Sequence, residues 1–333
     1  MLQRWGYGWV PGVRCPIAAQ VEIVLLGKHG ELGENCSMGY RTFKRRTPVP
    51  EVPSGPPHSH PIAHQRQWSL TEYVCTAGPH DRPFEERHER VSVALVTAGT
   101  FRYRTNAGEG LLYPGAFLLG NVGACYECGH EHSHGDRCLA LHIDQELFAE
   151  IALESSGSRR CEFRAAMLPA LVDLASISVS LQQISPQESC IAIEETVLSA
   201  VEAVVRTVGT NQTPLRRPRP AATRRMAAVL EYIDVRSGSA LNLTELAALA
   251  SMSKYHFLRT FKHTSGMTPH QYILGRRLRA AAAALRTSEE PVARVALDQG
   301  FDDLSTFNHS FRRVMGVTPT TYRATQKGRA SSR

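Results

Sequence analysis

Nothing in this sequence is suited to lipid. No apolar run approaches the roughly 18 residues that cross a bilayer, and the stretch Val21 to Leu26 is far too short. No small-residue cleavage pattern follows it, so no signal peptide is read and the chain is expected in the cytoplasm. In that reducing compartment its eight cysteines are thiols or metal ligands rather than disulfides. Two catalytic constellations are also missing, the Ser/His/Asp triad and the phosphate-binding loop, and no second C-x-x-C completes a zinc-finger pattern. Acidic residues are scarce at one end. From Gln212 to Arg333 there are 8 Asp/Glu against 20 Lys/Arg, a net +12, whereas residues 1 to 211 carry 23 against 18, a net −5. A basic end on a mildly acidic body points to a polyanion partner, with a merely solvated basic surface as the alternative.

At 333 residues the chain is long enough for two domains with connecting segments. Residues 1–66 lack sustained periodicity, and the six prolines between Thr47 and Pro61 read as a flexible extension. Short alternating strands then run from Trp68 to Ile143. Val91 to Thr97, Thr100 to Thr105, Leu111 to Tyr113, Ala116 to Leu119 and Cys138 to Ile143 are separated by turn residues such as Gly99, Gly108 and Pro114-Gly115. Several short strands in succession predict a small β-barrel or sandwich. Helical spacing follows at Gln145 to Glu154, Phe163 to Leu174 and Gln187 to Val208, the last with a broad apolar face that suits core packing or a dimer seam. Residues 209–222, with three prolines and three arginines, form a linker. The expected organisation is thus a 1–66 extension, a 67–208 domain of strands followed by helices, the linker, a 223–325 helical domain and a 326–333 tail.

The sharpest signal is an internal repeat with a period of 50. Phe257 maps to Phe307, Phe261 to Phe311, Lys262 to Arg312, Gly266 to Gly316, Thr268-Pro269 to Thr318-Pro319 and Tyr272 to Tyr322. Each copy reads as helix, tight turn, helix. In the first, Asn242 is the N-cap with Glu245 at the capping-box position. Leu243, Leu246, Ala247 and Ala250 face inward, and Ser253 caps a second helix carrying Phe257, Leu258 and Phe261. In the second copy Pro291 suits the first helical position, Val292, Val295 and Ala296 pack inward, Gly300 turns, and Asp303 caps. A long helix from Gln271 to Arg286 joins the copies. Small residues at Ala247 and Ala250 allow the close helix crossing that a helix-turn-helix requires.

These residues resemble the DNA-binding domain of the AraC family of bacterial regulators, over roughly Met226 to Tyr322. The resemblance implies an α+β chain: a cupin-like β-barrel with flanking helices, then an all-α domain of two helix-turn-helix units joined by a linker helix. It further implies a transcription regulator, not an enzyme. Its double-stranded DNA partner would be met in two successive major grooves, and its barrel would bind a small effector and form a homodimer. RNA polymerase is a further candidate partner, and activation at the nucleoid the expected setting. The exposed faces favour DNA binding over an inert bundle: Lys254, Tyr255, His256, Arg259 and Lys262 on one recognition helix, and Ser305, Thr306, Asn308, His309, Arg312 and Arg313 on the other. The family places base contacts at Tyr255, Leu258 and Arg259, with Ser305, Asn308 and His309 corresponding. Arg259 suits bidentate pairing with guanine. Leu258 has no hydrogen-bonding group and either touches a thymine methyl or packs inward, with packing favoured beside Phe257. His309 departs from the arginine seen there in some relatives.

One cluster stands apart: Cys125, Cys128, His130, His132, His134 and Cys138. Soft and borderline donors at this spacing are candidate zinc ligands, because residues two apart on a strand share a face. The alternative is a polar loop with thiols in the barrel wall. His58, His60 and His64 form a second, looser group. Two further functions follow from the metal: a metal-sensing regulator, or a metal-dependent cupin enzyme with a DNA-binding tail. Against the enzyme, the early barrel offers only Glu85, Glu86, His88 and Glu89, without the paired His-x-His of cupin metal sites.

Overall fold

The computed structural model describes residues 58–79, 81, 83–130, 135–158, 162–184, 189–210 and 220–331. A sheet-rich N-terminal half is followed by a helical C-terminal one. Strands β1 (His58–His64), β2 (Trp68–Cys75), β4 (Val91–Gly99), β7 (Phe117–Gly120), β9 (Asp136–Ile143) and β10 (Met167–Leu168) form one antiparallel sheet, ordered β1-β2-β9-β4-β7-β10. Strands β3 (Phe84–Arg87), β5 (Phe101–Thr105), β6 (Gly108–Leu112) and β8 (Cys125–Gly129) form a second, ordered β3-β8-β5-β6.

Strand β4 shows how one sequence serves two cores. Ala94 and Val96 face the second sheet and meet Phe101, Tyr103 and Leu112, whereas Val91, Val93 and Leu95 face outward. On that outer face lie α1 (Gln145–Ser156) and α3 (Cys190–Thr210), whose Val197, Val201 and Val204 are fully buried. The apolar face of α3 is therefore spent on the sheet, with Ile191 at its start left exposed. Burial on both faces is what makes the strand a continuous apolar run.

Four expectations change. Residues 58–64, placed in the extension, pair along the whole of β2 as an edge strand that tolerates Pro61 at its bulge. Phe163 to Leu174 is not a helix. Pro169 interrupts it, Met167–Leu168 pairs with β7, and only a 3-10 turn (Val172–Leu174) precedes α2 (Ala175–Gln182). The apolar spacing there reflects burial on several sides, since Phe163, Ala166, Met167, Leu168 and Ala170 are all in the core. Helix α4 (Pro220–Arg236) begins inside the linker, where proline suits a helix start. The last helix, α10 (Pro319–Ser331), continues into the segment expected as a tail. No helix among the described residues is long and apolar enough to cross a membrane.

The helical half repeats. Helices α5 (Leu243–Leu249) and α6 (Lys254–Ser265) form the first unit, and α8 (Val292–Asp298) and α9 (Leu304–Met315) the second. Between them runs α7 (Pro269–Thr287), opened by a capping box of Thr268 and Gln271. The duplication extends to packing: Phe257 and Phe261 have ring centroids 5.6 Å apart at 58°, and Phe307 and Phe311 5.4 Å apart at 53°. Tyr272 closes the first pair edge-on at 6.0 Å and Tyr322 the second at 5.5 Å.

Candidate DNA-binding interface

Both recognition helices begin and end alike. Ser253 accepts a hydrogen bond from the His256 amide at 3.3 Å, and Asp303 one from the Thr306 amide at 2.7 Å. Gly266 and Gly316 end them at φ +78°, a left-handed conformation that disfavours any side chain. The cap bond lowers the Asp303 carboxyl below its usual range. At the start of α5, Asn242 accepts from the Glu245 amide at 2.9 Å as expected, but Glu245 takes its hydrogen bond from the Tyr232 hydroxyl, tying α5 to α4 instead of closing a box. Pro291 stands at the N-cap of α8, one position ahead of its expected place.

These caps turn fixed faces outward. Lys254, Tyr255, His256, Arg259 and Lys262 are all exposed on α6, while Phe257 and Phe261 on the opposite face are fully buried. Ser305, Thr306, Asn308, His309, Arg312 and Arg313 are likewise exposed on α9, over buried Phe307 and Phe311. The Arg259 guanidinium lies over the Tyr255 ring, 5.9 Å from its centroid, one helical turn away. Leu258 is 36 % exposed and so does not pack inward as expected; the buried face is filled by Phe257, Phe261, Thr264 and Ser265, leaving Leu258 on the surface beside Arg259.

Helix α7 sets the spacing of the two faces, its 19 residues spanning about 28 Å. Arg277, which the sequence reading missed, fixes their relative orientation. Its guanidinium donates to the carbonyls of Ser237 (2.7 Å) and Ser239 (2.9 Å) at the end of the α4 segment, and to the Gly300 carbonyl (2.5 Å) in the second unit's turn. A Cβ on Gly300 would meet the Arg277 guanidinium carbon and the Gly238 carbonyl, both at 2.9 Å, so only glycine fits there at φ +82°.

The sheet half is docked on this platform. Tyr113 donates to the Ser265 carbonyl at the end of α6 and meets the Tyr272 ring edge-on at 5.3 Å. Thr100 donates to Glu231 of α4 at 3.2 Å, and buried Arg279 of α7 donates to the Pro114 carbonyl at 3.3 Å. One continuous apolar core runs from Val96 and Tyr113 to Phe257 and Phe261. A second joins Ala175 and Val179 of α2 to Leu278, Phe301 and Phe307. Between β4, α2 and α7 lies a cleft of about 230 Å³, lined by Val96, Pro114, Gly115, Val179, Arg276 and Arg279 among others.

The space between the sheets is occupied by polar rings. His88 Nε2 is 2.8 Å from the Tyr103 hydroxyl, and its ring stacks on Tyr126 at 4.2 Å. Tyr126 donates to Glu86, and Tyr103 donates to the Leu119 carbonyl at 3.2 Å. Burial, with a smaller contribution from His142, pushes the His88 imidazole down to about 4, so it is neutral. His88 and Glu86 thus serve tyrosines.

Of the six candidate zinc ligands, His132 and His134 lie outside the described residues. Cys125 is exposed on β8, while Cys128, His130 and Cys138 are buried. The structure groups His130 not with Cys125 but with Cys75 and Asp136, their donor atoms all within 4.8 Å of one another. His58, His60 and His64 are exposed along β1 and take no part.

Comparison with known proteins agrees with the helical geometry. A family described as a helix-turn-helix domain matches residues 246–325. The regulatory protein SoxS of Salmonella typhimurium is 37 % identical over 95 residues, which cover 28 % of this chain and 89 % of SoxS. The chain belongs to the AraC family of DNA-binding transcription regulators. Another relative, the MmsAB operon regulatory protein of Pseudomonas aeruginosa, is 35 % identical over 112 residues, 34 % of this chain and 36 % of that protein. The chain therefore spans little more than a third of that relative's length, and 39 % of the probable transcriptional regulator LumQ of Photobacterium leiognathi. Among solved structures, the DNA-binding domain of AdpA in complex with a target DNA is 31 % identical, covers 32 % of this chain and 95 % of that one, and has a TM-score of 0.31. Family membership is thus carried by the duplicated helices, while the sheet half is described by its own geometry.

Proposed function

We propose that this protein is a sequence-specific DNA-binding transcription regulator. Helices α6 and α9 enter successive major grooves on one face of the double helix, and the sheet half, paired as a homodimer, responds to a small-molecule effector. The observation that carries this reading is the pair of exposed, similarly capped helices joined through a linker helix of about 28 Å, whose Arg277 ties the segment before the first unit to the turn of the second. Successive major grooves recur about every 34 Å along one face, a spacing comparable with the length of that linker. Arg259 reads a guanine through O6 and N7, held in place by the Tyr255 ring. Lys262 and Arg312 sit on phosphates, which position the protein without reading sequence. Ser305, Asn308 and His309 face the second groove.

The effector site of this proposal is the cleft between β4, α2 and α7, since a molecule there touches both halves at once. Engagement of RNA polymerase at the nucleoid in the cytoplasm completes the expected role of such a regulator.

The test is selection of bound sequences from a random pool by the full chain, followed by affinity measurements over a range of salt. Two conserved half-sites, centred about one helical turn of 10–10.5 base pairs apart, are expected, with affinity falling steeply as salt rises through counterion release. No enriched sequence, or binding indifferent to salt, overturns the proposal.

A further inference from the structure

We infer that Cys75, His130 and Asp136, with the Cys138 thiol beside them, form a binding site for a thiophilic divalent cation of the zinc class. The inference stands apart from the DNA-binding reading, since it rests wholly on the sheet half. Cys75 ends β2 and Asp136 opens β9, and the two are directly paired across the ladder. His130 arrives from the opposite sheet, just beyond β8, and its Nε2 lies 3.3 Å from an Asp136 carboxylate oxygen. The second oxygen of that carboxylate lies 3.9 Å from Cys138 Sγ.

Donor atoms around one zinc ion sit about 2.0–2.3 Å from it, and therefore about 3.5 Å from each other in a tetrahedron. Donors already within 4.8 Å need only small side-chain rotations to reach that arrangement. The set is chemically apt: a thiol and an imidazole select a borderline-soft ion over magnesium or calcium, which prefer oxygen. It is also dry. His130 and Asp136 side chains are 2 % and 9 % exposed, and Cys75 and Cys138 are buried. A divalent cation in their midst would take the thiols as thiolates, because a coordinating thiol gives up its proton.

The backbone is shaped to hold this cluster. Gly135, at φ +76°, donates its amide to the Ala77 carbonyl at 2.9 Å, and a Cβ there would lie 2.4 Å from the Cys75 carbonyl oxygen. Gly99, also at φ +76°, approaches so closely that its Cβ would lie 2.3 Å from the Gly135 carbonyl oxygen. Two glycines in conformations unfavourable to side chains thus let the start of β9 settle directly over Cys75. Phe101 covers His130 at 5.9 Å, closing the site from the core side.

The experiment uses the full chain without an affinity tag, reduced, stripped with chelator and titrated with Co²⁺. One equivalent is expected to bind, with a thiolate-to-cobalt charge-transfer band and intense tetrahedral visible bands, both erased by Zn²⁺. Zn²⁺ is also expected to raise Tm. Cys75→Ser should remove the charge-transfer band or weaken it strongly, whereas Cys125→Ser should leave the spectrum and the affinity unchanged. If Cys75→Ser does not fold, Asp136→Asn serves instead. Loss of a direct ligand exceeds the effect of losing an outer-shell partner, so zinc affinity should fall by more than about tenfold. A reduced wild-type protein with no thiolate–cobalt band overturns the inference and leaves a hydrogen-bonded His–Asp pair. So does a disulfide among Cys75, Cys128 and Cys138 in the native state, or a spectrum sensitive to Cys125→Ser and indifferent to Cys75→Ser.

Discussion

Arg259 and Lys262 stand one turn apart on the same exposed face of α6, yet they are expected to fail differently. Arg259→Ala should cost about 1–3 kcal/mol at the selected site and relax the preference at one base pair. Lys262→Ala should weaken all sequences alike and lower the salt slope by about one unit. Affinities on single-base variants at one salt concentration separate the two, and a uniform loss in Arg259→Ala makes it a phosphate contact. Leu258, on the surface beside them, is available to touch a thymine methyl, which its neighbour Phe257 had argued against in sequence. A second prediction concerns His88, whose imidazole is lowered to about 4 by burial from an ordinary value near 6.5. Between those limits the unfolded chain binds the extra proton, so stability is whole above pH 6.5 and is lost as pH falls toward 4. His142, also lowered by burial, adds in the same direction, while Tyr103 and Tyr126 stay neutral throughout. His88→Gln should flatten the acid limb of Tm against pH; an unchanged limb refutes the assignment. At this scale the exposed residues of α6 and α9 were legible, because a helix with known caps has known faces. Cys75 and Asp136 were not, because the pairing that joins them spans sixty residues and only the β2–β9 register reveals it.

Two glycines of the second copy of the repeat do unequal service. Gly300 is enclosed by Arg277 and the Gly238 carbonyl, whereas Gly316, at a similar φ, has nothing within 4 Å of the place a Cβ would take. Gly316→Ala should therefore cost only the left-handed strain, about 1 kcal/mol, and Gly300→Ala distinctly more. Gly300→Ala should also release Arg277 and misalign α9, so it should lose DNA affinity that Gly316→Ala keeps. Thermal unfolding and binding on the selected site test both, and equal effects contradict the packing argument. Removing the cap in Asn242→Ala should cost about 1 kcal/mol. The helical elements were readable because each carries its own punctuation: Asn242, Ser253, Thr268 and Asp303 at starts, Gly266 and Gly316 at ends. Strand β1 was not, since an exposed edge strand of three histidines and a proline lacks the alternation that burial imposes. The residues from Phe163 to Leu174 misled for the opposite reason: a segment buried on several sides shows apolar residues at every spacing.

On the scale of the whole molecule, the two halves share cores rather than meeting across water. The first helix-turn-helix unit is continuous with Tyr113 and Val96 of the sheets, and the second with Ala175 and Val179 of α2. Tyr113→Phe, which deletes the bond to the Ser265 carbonyl and the long 3.5 Å bond accepted from the Ala170 amide, should loosen α6 against the sheet half and speed amide hydrogen exchange near Ser265. Exchange unchanged there indicates that the apolar core alone holds the contact. No spacing in the sequence announced this arrangement, because the residues that make it are ordinary core residues in each half. Its consequence is thermodynamic reciprocity. Any molecule that enters the cleft and favours one arrangement of the halves alters the affinity of α6 and α9 for DNA by some factor. DNA must then alter the affinity for that molecule by the same factor, since both paths reach one ternary complex. Adding the selected duplex therefore becomes a way of finding the effector: compounds whose binding tightens or weakens when the duplex is present are those that the cleft couples to the grooves.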